Sequence, residues 1–134
     1  MKKLAIIGAS YLQEPLIERA KELGYETHVF AWAANDVGEK SADFFYPISI
    51  VDKEEILDSC RNIGICGICT IASDLAAVTV NYVANALGLP GNSAEASLLA
   101  SNKYYMRKAF FEGNCPSPKS IRVSCVADLK DIQL

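Results

Sequence analysis

Short, continuous apolar runs alternate along the chain with stretches in which apolar residues return every three or four positions. That alternation predicts strands and helices in turn. Residues 4–8 (Leu-Ala-Ile-Ile-Gly) are apolar throughout, as suits a strand covered on both faces. Pro15 fits the first turn of a helix whose stripe is Leu16, Ile17, Ala20 and Leu23, with Gly24 as its stop. Residues 27–32 predict a second strand and residues 44–48 a short third one, placed at a sheet edge by Pro47. Asp52 and Glu55 have capping-box spacing and open a helix that turns Ile56, Leu57 and Cys60 inward. Residues 67–72 form strand four. Ser73 or Asp74 then caps a helix that runs to about Leu87 and closes at Gly88.

Beyond this point the pattern changes. Residues 89–91 (Leu-Pro-Gly) read as a very short fifth strand or an extended turn. Two short helices follow, near 94–100 and 103–112, separated by Asn102, and residues 113–118 form a connector. Residues 121–125 alternate like a strand, and a further helix begins at Asp128 and runs to Leu134. The order β-α-β-α-β-α predicts an α/β fold: a Rossmann-like, doubly wound parallel sheet with strand order 3-2-1-4-5. Its topological switch then lies between strands one and four, and the loops at residues 8–11 and 72–74 face the crevice. No internal repeat or low-complexity segment interrupts the pattern.

Composition narrows the class. The 134 residues are 51% hydrophobic and 22% charged, enough to build a core, and the formal net charge is −3. Lysines and arginines are scattered, so the basic patch that nucleic-acid binding requires is missing, and no nucleic-acid partner is expected. No apolar run approaches the roughly 20 residues of a membrane helix, and the opening Met1-Lys2-Lys3 leads into a strand instead of a secretory signal. We therefore expect no membrane partner and a cytoplasmic location. The odd number of cysteines (60, 66, 69, 115 and 125) fits reduced thiols, several of them acting as small core hydrophobes. Cys66 and Cys69 have C-x-x-C spacing, yet on a strand residues three apart face opposite ways, so neither redox nor zinc chemistry is expected of them.

Few residues suggest chemistry by themselves. Gly8-Ala9-Ser10 matches one glycine of a dinucleotide fingerprint, with Ser10 and Gln13 where later glycines belong and no acid ending strand two, so NAD is not expected. Neither a P-loop nor the paired acids of a phosphoacceptor domain occur. The lone His28 reads as structural, and Asp74 as a helix cap that also faces the crevice. Tyr11 and Trp32, near strand ends, line a pocket or cover an edge.

Longer motifs carry a resemblance. They are the opening Leu4-Ala-Ile-Ile-Gly-Ala-Ser10, Ala20-x-x-x-Gly24-Tyr25, Ile71-Ala-Ser-Asp74 and Leu87-Gly-Leu-Pro-Gly-Asn-Ser93. The most specific is Asn102-Lys103-x-x-x-Arg107-x-x-x-x-x-Gly113-x-x-x-x-Pro118. In this order and spacing they make residues 3–125 resemble the N-terminal (pre-ATP-grasp) domain of ATP-grasp carboxylate–amine ligases. That superfamily includes biotin carboxylase, the carbamoyl phosphate synthetase large subunit and glycinamide ribonucleotide synthetase. The sequence departs from the pattern at Asn102, where an aspartate is usual.

The resemblance implies a domain over 1–93, with 94–134 as a helical connector and the beginning of the ATP-grasp domain. It implies that Lys103 and Arg107 approach the ATP phosphates, and that Gly8, Ser10, Tyr11, Ser73 and Asp74 belong to the substrate crevice. It implies ATP and Mg²⁺ as cofactors of a full-length protein, with none tightly bound to these residues alone, and no catalytic or metal-binding residue among them. Small carboxylate and amine molecules are the implied substrates, with a homodimer as a compatible assembly. The second phosphate-contacting lysine, the glycine-rich loop and the metal-holding Glu and Asn of the family follow later than residue 134. These residues are accordingly expected to be the N-terminal part of a longer ligase, inactive on their own. A rival expectation is a stand-alone small-ligand or partner-binding module without catalysis.

Overall fold

The computed structural model describes residues 1–131. It forms two compact units, Met1–Ser97 and a second that begins at Leu98. In the first, β1 (Lys2–Ile7), β2 (Tyr25–Phe30), β3 (Phe44–Tyr46) and β4 (Gly67–Cys69) make a parallel sheet in the order β3-β2-β1-β4. The central strand explains the two-layer build. Ala5, Ile6 and Ile7 have no exposed surface, and their side chains alternate between the two faces. Ala5 and Ile7 join Phe30, Ile56, Cys60 and Val83 on one side. Ile6 joins Ile17, Ala20 and Val29 on the other. At about 25 cal/mol per Å² of apolar surface removed from water, these two clusters are the main favourable term of the fold.

The helices follow the expected pattern. They are α1 (Glu14–Glu22), α2 (Val37–Ser41), α3 (Lys53–Ile63), α4 (Asp74–Leu87), α5 (Ala94–Ser101) and α6 (Lys103–Glu112). α1 buries Ile17 and Ala20, whereas Leu23, placed in its apolar stripe by periodicity, lies past its end and is 59% exposed. α3 buries Ile56, Leu57 and Cys60, as anticipated, and ends at Gly64 with φ +73°. Asp52 precedes α3 without making a side-chain capping bond. The capping arrangement belongs to α2, which the apolar pattern does not reveal. There the Glu39 carboxylate accepts the Asp36 N–H at 2.9 Å. α4 starts where Ser73 Oγ accepts the Ala76 N–H at 3.2 Å and stops at Gly88.

Two predicted strands are not formed. Residues 89–91 extend the chain without joining the sheet, so the order is 3-2-1-4 in place of 3-2-1-4-5 among the described residues. The backbone donors there serve α4: the Leu89 N–H goes to the Ala84 carbonyl, the Asn92 N–H to Asn81 Oδ1, and Pro90 has none. Residues 121–125 alternate but pair with no strand. Their last two N–H groups go to the Asp128 carboxylate, opening a 3₁₀ turn over Val126–Asp131. The rest of the helix expected to reach Leu134 lies outside the described residues.

Polar groups also tie the first unit together. Thr27 and Asp43 exchange three hydrogen bonds of 2.9–3.0 Å, and Lys21 approaches Asp43 at 3.1 Å. Burial pushes the Asp43 carboxyl up, but the bonds from Thr27 and Lys21 outweigh it and hold the carboxyl below its ordinary value. A lowered carboxyl stabilises the fold above its ordinary pKa and loses that contribution as pH falls through the lowered value. Asp43→Asn should therefore reduce stability at neutral pH and flatten the acid limb of a melting-temperature profile. Gly38 supplies a second test. Its N–H meets the Ala9 carbonyl at 2.9 Å, and a Cβ there would lie 2.5 Å from that oxygen, which is backbone and cannot swing away. Gly38→Ala should cost about 1–3 kcal/mol, visible as an earlier denaturation midpoint.

Candidate functional site

The carboxyl ends of β1 and β2 and the loops after β3 and β4 enclose a recess of about 330 Å³. It sits where parallel α/β sheets bind ligands. β1 leaves the sheet through Gly8, whose φ of +104° a residue with a Cβ rarely adopts. The Ser10–Gln13 turn that follows is closed by side chains. Gln13 Oε1 accepts the Ser10 N–H at 3.2 Å and the Ser10 hydroxyl at 2.6 Å, while Gln13 Nε2 donates to the Ile71 carbonyl at 2.6 Å. Gln13, only 4% exposed, therefore bridges the β1 and β4 loops.

The opposite wall is the turn into α4. Ala72 has φ +56°, a left-handed conformation that costs a residue with a Cβ about 1 kcal/mol. The loop after β2 adds to the lining Trp32, 73% exposed, and Asp36, half-buried at the start of α2. Hydrogen bonds from the N–H groups of Asp36 and then Ala34 hold the Glu39 carboxyl below its ordinary value and fix this loop.

Of the crevice residues named from sequence, Gly8, Ser10 and Ser73 line this recess together. Tyr11 and Asp74 are exposed beside it and are not part of its lining. Gln13, Asp36 and Ser49 line it without having been named as candidates. Two of these left signals: Gln13 stands at a glycine position of the fingerprint, and Asp36 and Glu39 have capping-box spacing. Ser49 left none.

Lys103 and Arg107 belong to the second unit, one helical turn apart on α6. Asn102 caps this helix, its Oδ1 accepting the Tyr104 and Tyr105 N–H groups at 3.1 and 3.3 Å. Asparagine thus performs the capping that an aspartate would perform at this place. Arg107 donates to Ser117 Oγ at 2.8 Å and, with Lys108 and Lys119, lines a recess of about 560 Å³. Lys103 is exposed in the first turn and outside that lining. Three cations give this recess the sign a phosphate group needs. For a metal ion the donors do not fit: among the described residues no group of three or more His, Cys, Asp or Glu side chains could hold one.

The remaining reactive side chains are structural or isolated. His28 is 4% exposed, with Nδ1 3.0 Å from the Tyr46 hydroxyl and Nε2 2.9 Å from Glu26, and it stacks on Phe44. All five cysteines are free. Cys60 is core, as expected, and burial pushes its thiol up to about 12. Cys69 is half-buried, and burial raises it too. Cys66 is exposed and precedes β4, so the two-faced strand geometry expected of the C-x-x-C pair holds for Cys69 alone.

The parallel sheet in the order 3-2-1-4 with helices on both faces is a fold this chain shares with solved ATP-grasp ligases. The chain is similar to phosphoribosylglycinamide synthetase from Anaerococcus prevotii, with a TM-score of 0.81 and 26% identity over 97% of this chain and 33% of that one. It is also similar to L-amino acid ligase from Bacillus licheniformis, with a TM-score of 0.83 and 24% identity over 100% and 34%. A third likeness is to the biotin carboxylase domain of the Hydrogenobacter thermophilus 2-oxoglutarate carboxylase, a dimer in complex with MgADP, ADP and bicarbonate. Its TM-score is 0.70, with 19% identity over 87% and 28%. The chain thus spans about a third of the length of the solved structures it matches. No protein-family model matches it, and neither does any curated protein.

Two outcomes test this local geometry. Thiol labelling of the folded chain at mildly alkaline pH should modify Cys66, Cys115 and Cys125 quickly and leave Cys60 unreacted until unfolding, as read by peptide mass. Ala72→Gly should raise stability by up to about 1 kcal/mol by relieving the positive φ, as read by chemical denaturation.

Proposed function

We propose that this chain is the N-terminal, substrate-side domain of a longer ATP-dependent carboxylate–amine ligase. One observation carries the reading: a synthetase and a ligase superpose on 97% and 100% of the chain and are about three times as long. In the full reaction a carboxylate oxygen takes the γ-phosphoryl group of ATP, giving an acyl phosphate and ADP. The amine nitrogen then attacks the carbonyl carbon, expelling inorganic phosphate and losing a proton.

Lys103 and Arg107 serve the ATP phosphates, Lys103 from the first turn of α6 and Arg107 from the cationic recess. A lysine gains nothing from the dipole in a helix's first turn, which supports a ligand-facing role. Gly8, Ser10 and Ser73, with Tyr11 and Asp74 beside them, shape the substrate crevice. Mg²⁺ would neutralise the transferring phosphoryl group, and its ligands belong to the remainder of the longer protein. The 134 residues are inactive alone, and the connector begins near residue 94. The five free thiols accord with operation in the cytoplasm. A homodimer accords with the dimeric biotin carboxylase domain.

The test is ADP and phosphate release by the longer polypeptide, screened over carboxylate–amine pairs. Substrate-stimulated ADP release is expected, and its absence with every pair would leave a non-catalytic ligand-binding module. Lys103→Ala in that protein should lower kcat/KM for ATP by about tenfold or more, about 1.4 kcal/mol, with an unchanged melting temperature. Unaltered ATP kinetics would remove Lys103 from the site.

A further inference from the structure

The glycine turn after β1 is covered by the side chain of Gln13. In parallel α/β sheets this turn commonly offers free backbone N–H groups and a helix N-terminus to a phosphate. Here the carboxamide takes the ligand's place. Gln13 Oε1 already accepts the Ser10 N–H and hydroxyl, as a phosphate oxygen would. Its Nε2 bond to the Ile71 carbonyl fixes which end of the amide faces the turn. A Cβ built on Gly8 would lie 3.0 Å from Gln13 Cδ and Oε1, so the side chain covers the glycine directly.

Several neighbouring donors are engaged as well. The Leu12 N–H goes to Ser10 Oγ, those of Gln13 and Glu14 to the Ser10 carbonyl, and that of Ala76 to Ser73 Oγ. Charge points the same way. The recess lining contains no Lys, Arg or His, and its one ionisable side chain is Asp36. Glu14 and Asp74, in the first turns of α1 and α4, set negative charge against the positive helix ends.

We propose that this crevice receives the amine substrate, unphosphorylated and in its ammonium form, which gives up one proton to water before its nitrogen attacks, and that Gln13 is the residue that shuts out phosphorylated substrates. The proposal rests on the ligase reading and names which of its two substrates enters here. Asp36 supplies the opposite charge, and Trp32 an aromatic face at the rim that suits a cation. The carboxylate, repelled by Asp36, must be held elsewhere.

Trp32 is the chain's only tryptophan, so its emission reports on the crevice directly. Two probes are titrated into the 134-residue chain without ATP: L-alaninamide, a cation with no phosphate, and ribose 5-phosphate. L-alaninamide should shift the emission saturably, with affinity about tenfold weaker in Asp36→Asn. Ribose 5-phosphate should leave the native chain unchanged and produce a saturable shift in Gln13→Gly, but none in Gln13→Glu. A saturable shift of the Trp32 emission by ribose 5-phosphate in the native chain overturns the proposal, and so does silence toward L-alaninamide. A folded Gln13→Gly that still ignores ribose 5-phosphate removes Gln13 as the excluding residue. If Gln13→Gly does not fold, the two native titrations decide. None of these readouts needs turnover, so a failed crevice assignment is distinguishable from a failed ligase reading, which would appear as missing ADP release.

Discussion

Burial of β1 on both faces is the constraint from which the rest of this molecule follows. A strand with no exposed surface from Ala5 to Ile7 must be paired on both edges and covered above and below. β2 and β4 supply the pairing. The helices on its two faces supply the cover, through Ile17 and Ala20 on one side and Ile56, Cys60 and Val83 on the other. Because every strand is parallel, all the strand-to-helix turns on the carboxyl side gather at one end. The recess is thus a product of the same topology that buries the core, and its chemistry depends on whichever short turns happen to end there.

Those turns are unusually self-contained. Gln13 joins two of them through three hydrogen bonds, and Glu39 braces a third by accepting two backbone N–H groups. Such bonds are worth about 1 kcal/mol each when both partners are present and more when one is removed. The same bonds therefore preorganise the crevice and decide what it can still offer a ligand. What remains is hydroxyls, one carboxylate and an indole, a set that differs in sign from the cationic recess of the second unit.

The fold was legible wherever burial dictates residue type. The continuous apolar run at residues 4–8 and the spacing of Ile56, Leu57 and Cys60 report directly on which faces are covered. The ends of α4 and α6 were legible because Ser73, Gly88, Asn102 and Gly113 act through local backbone chemistry. Residues 121–125 and the strand alternative for residues 89–91, which form the extended turn instead, failed because apolar character does not reveal whether a partner strand lies alongside. α2 escaped notice because five residues are too few for helical periodicity to show. In the crevice, Gly8, Ser10 and Ser73 follow from strand order alone. Gln13 and Asp36 left only a fingerprint position and a capping-box spacing, because their place in the lining depends on side-chain paths, for Gln13 between loops 58 residues apart.

The sheet's two outer margins have a consequence for how the chain behaves in a crowded solution. β3 and β4 each contribute only three residues, and Pro47 follows β3 at once. An outer strand of that length spans about 10 Å and offers an incoming strand only one or two ladder bonds. Long open margins invite self-association into fibrils, and these are too short to template it. Polymerisation by strand addition is therefore disfavoured by geometry before any charged gatekeeper is needed.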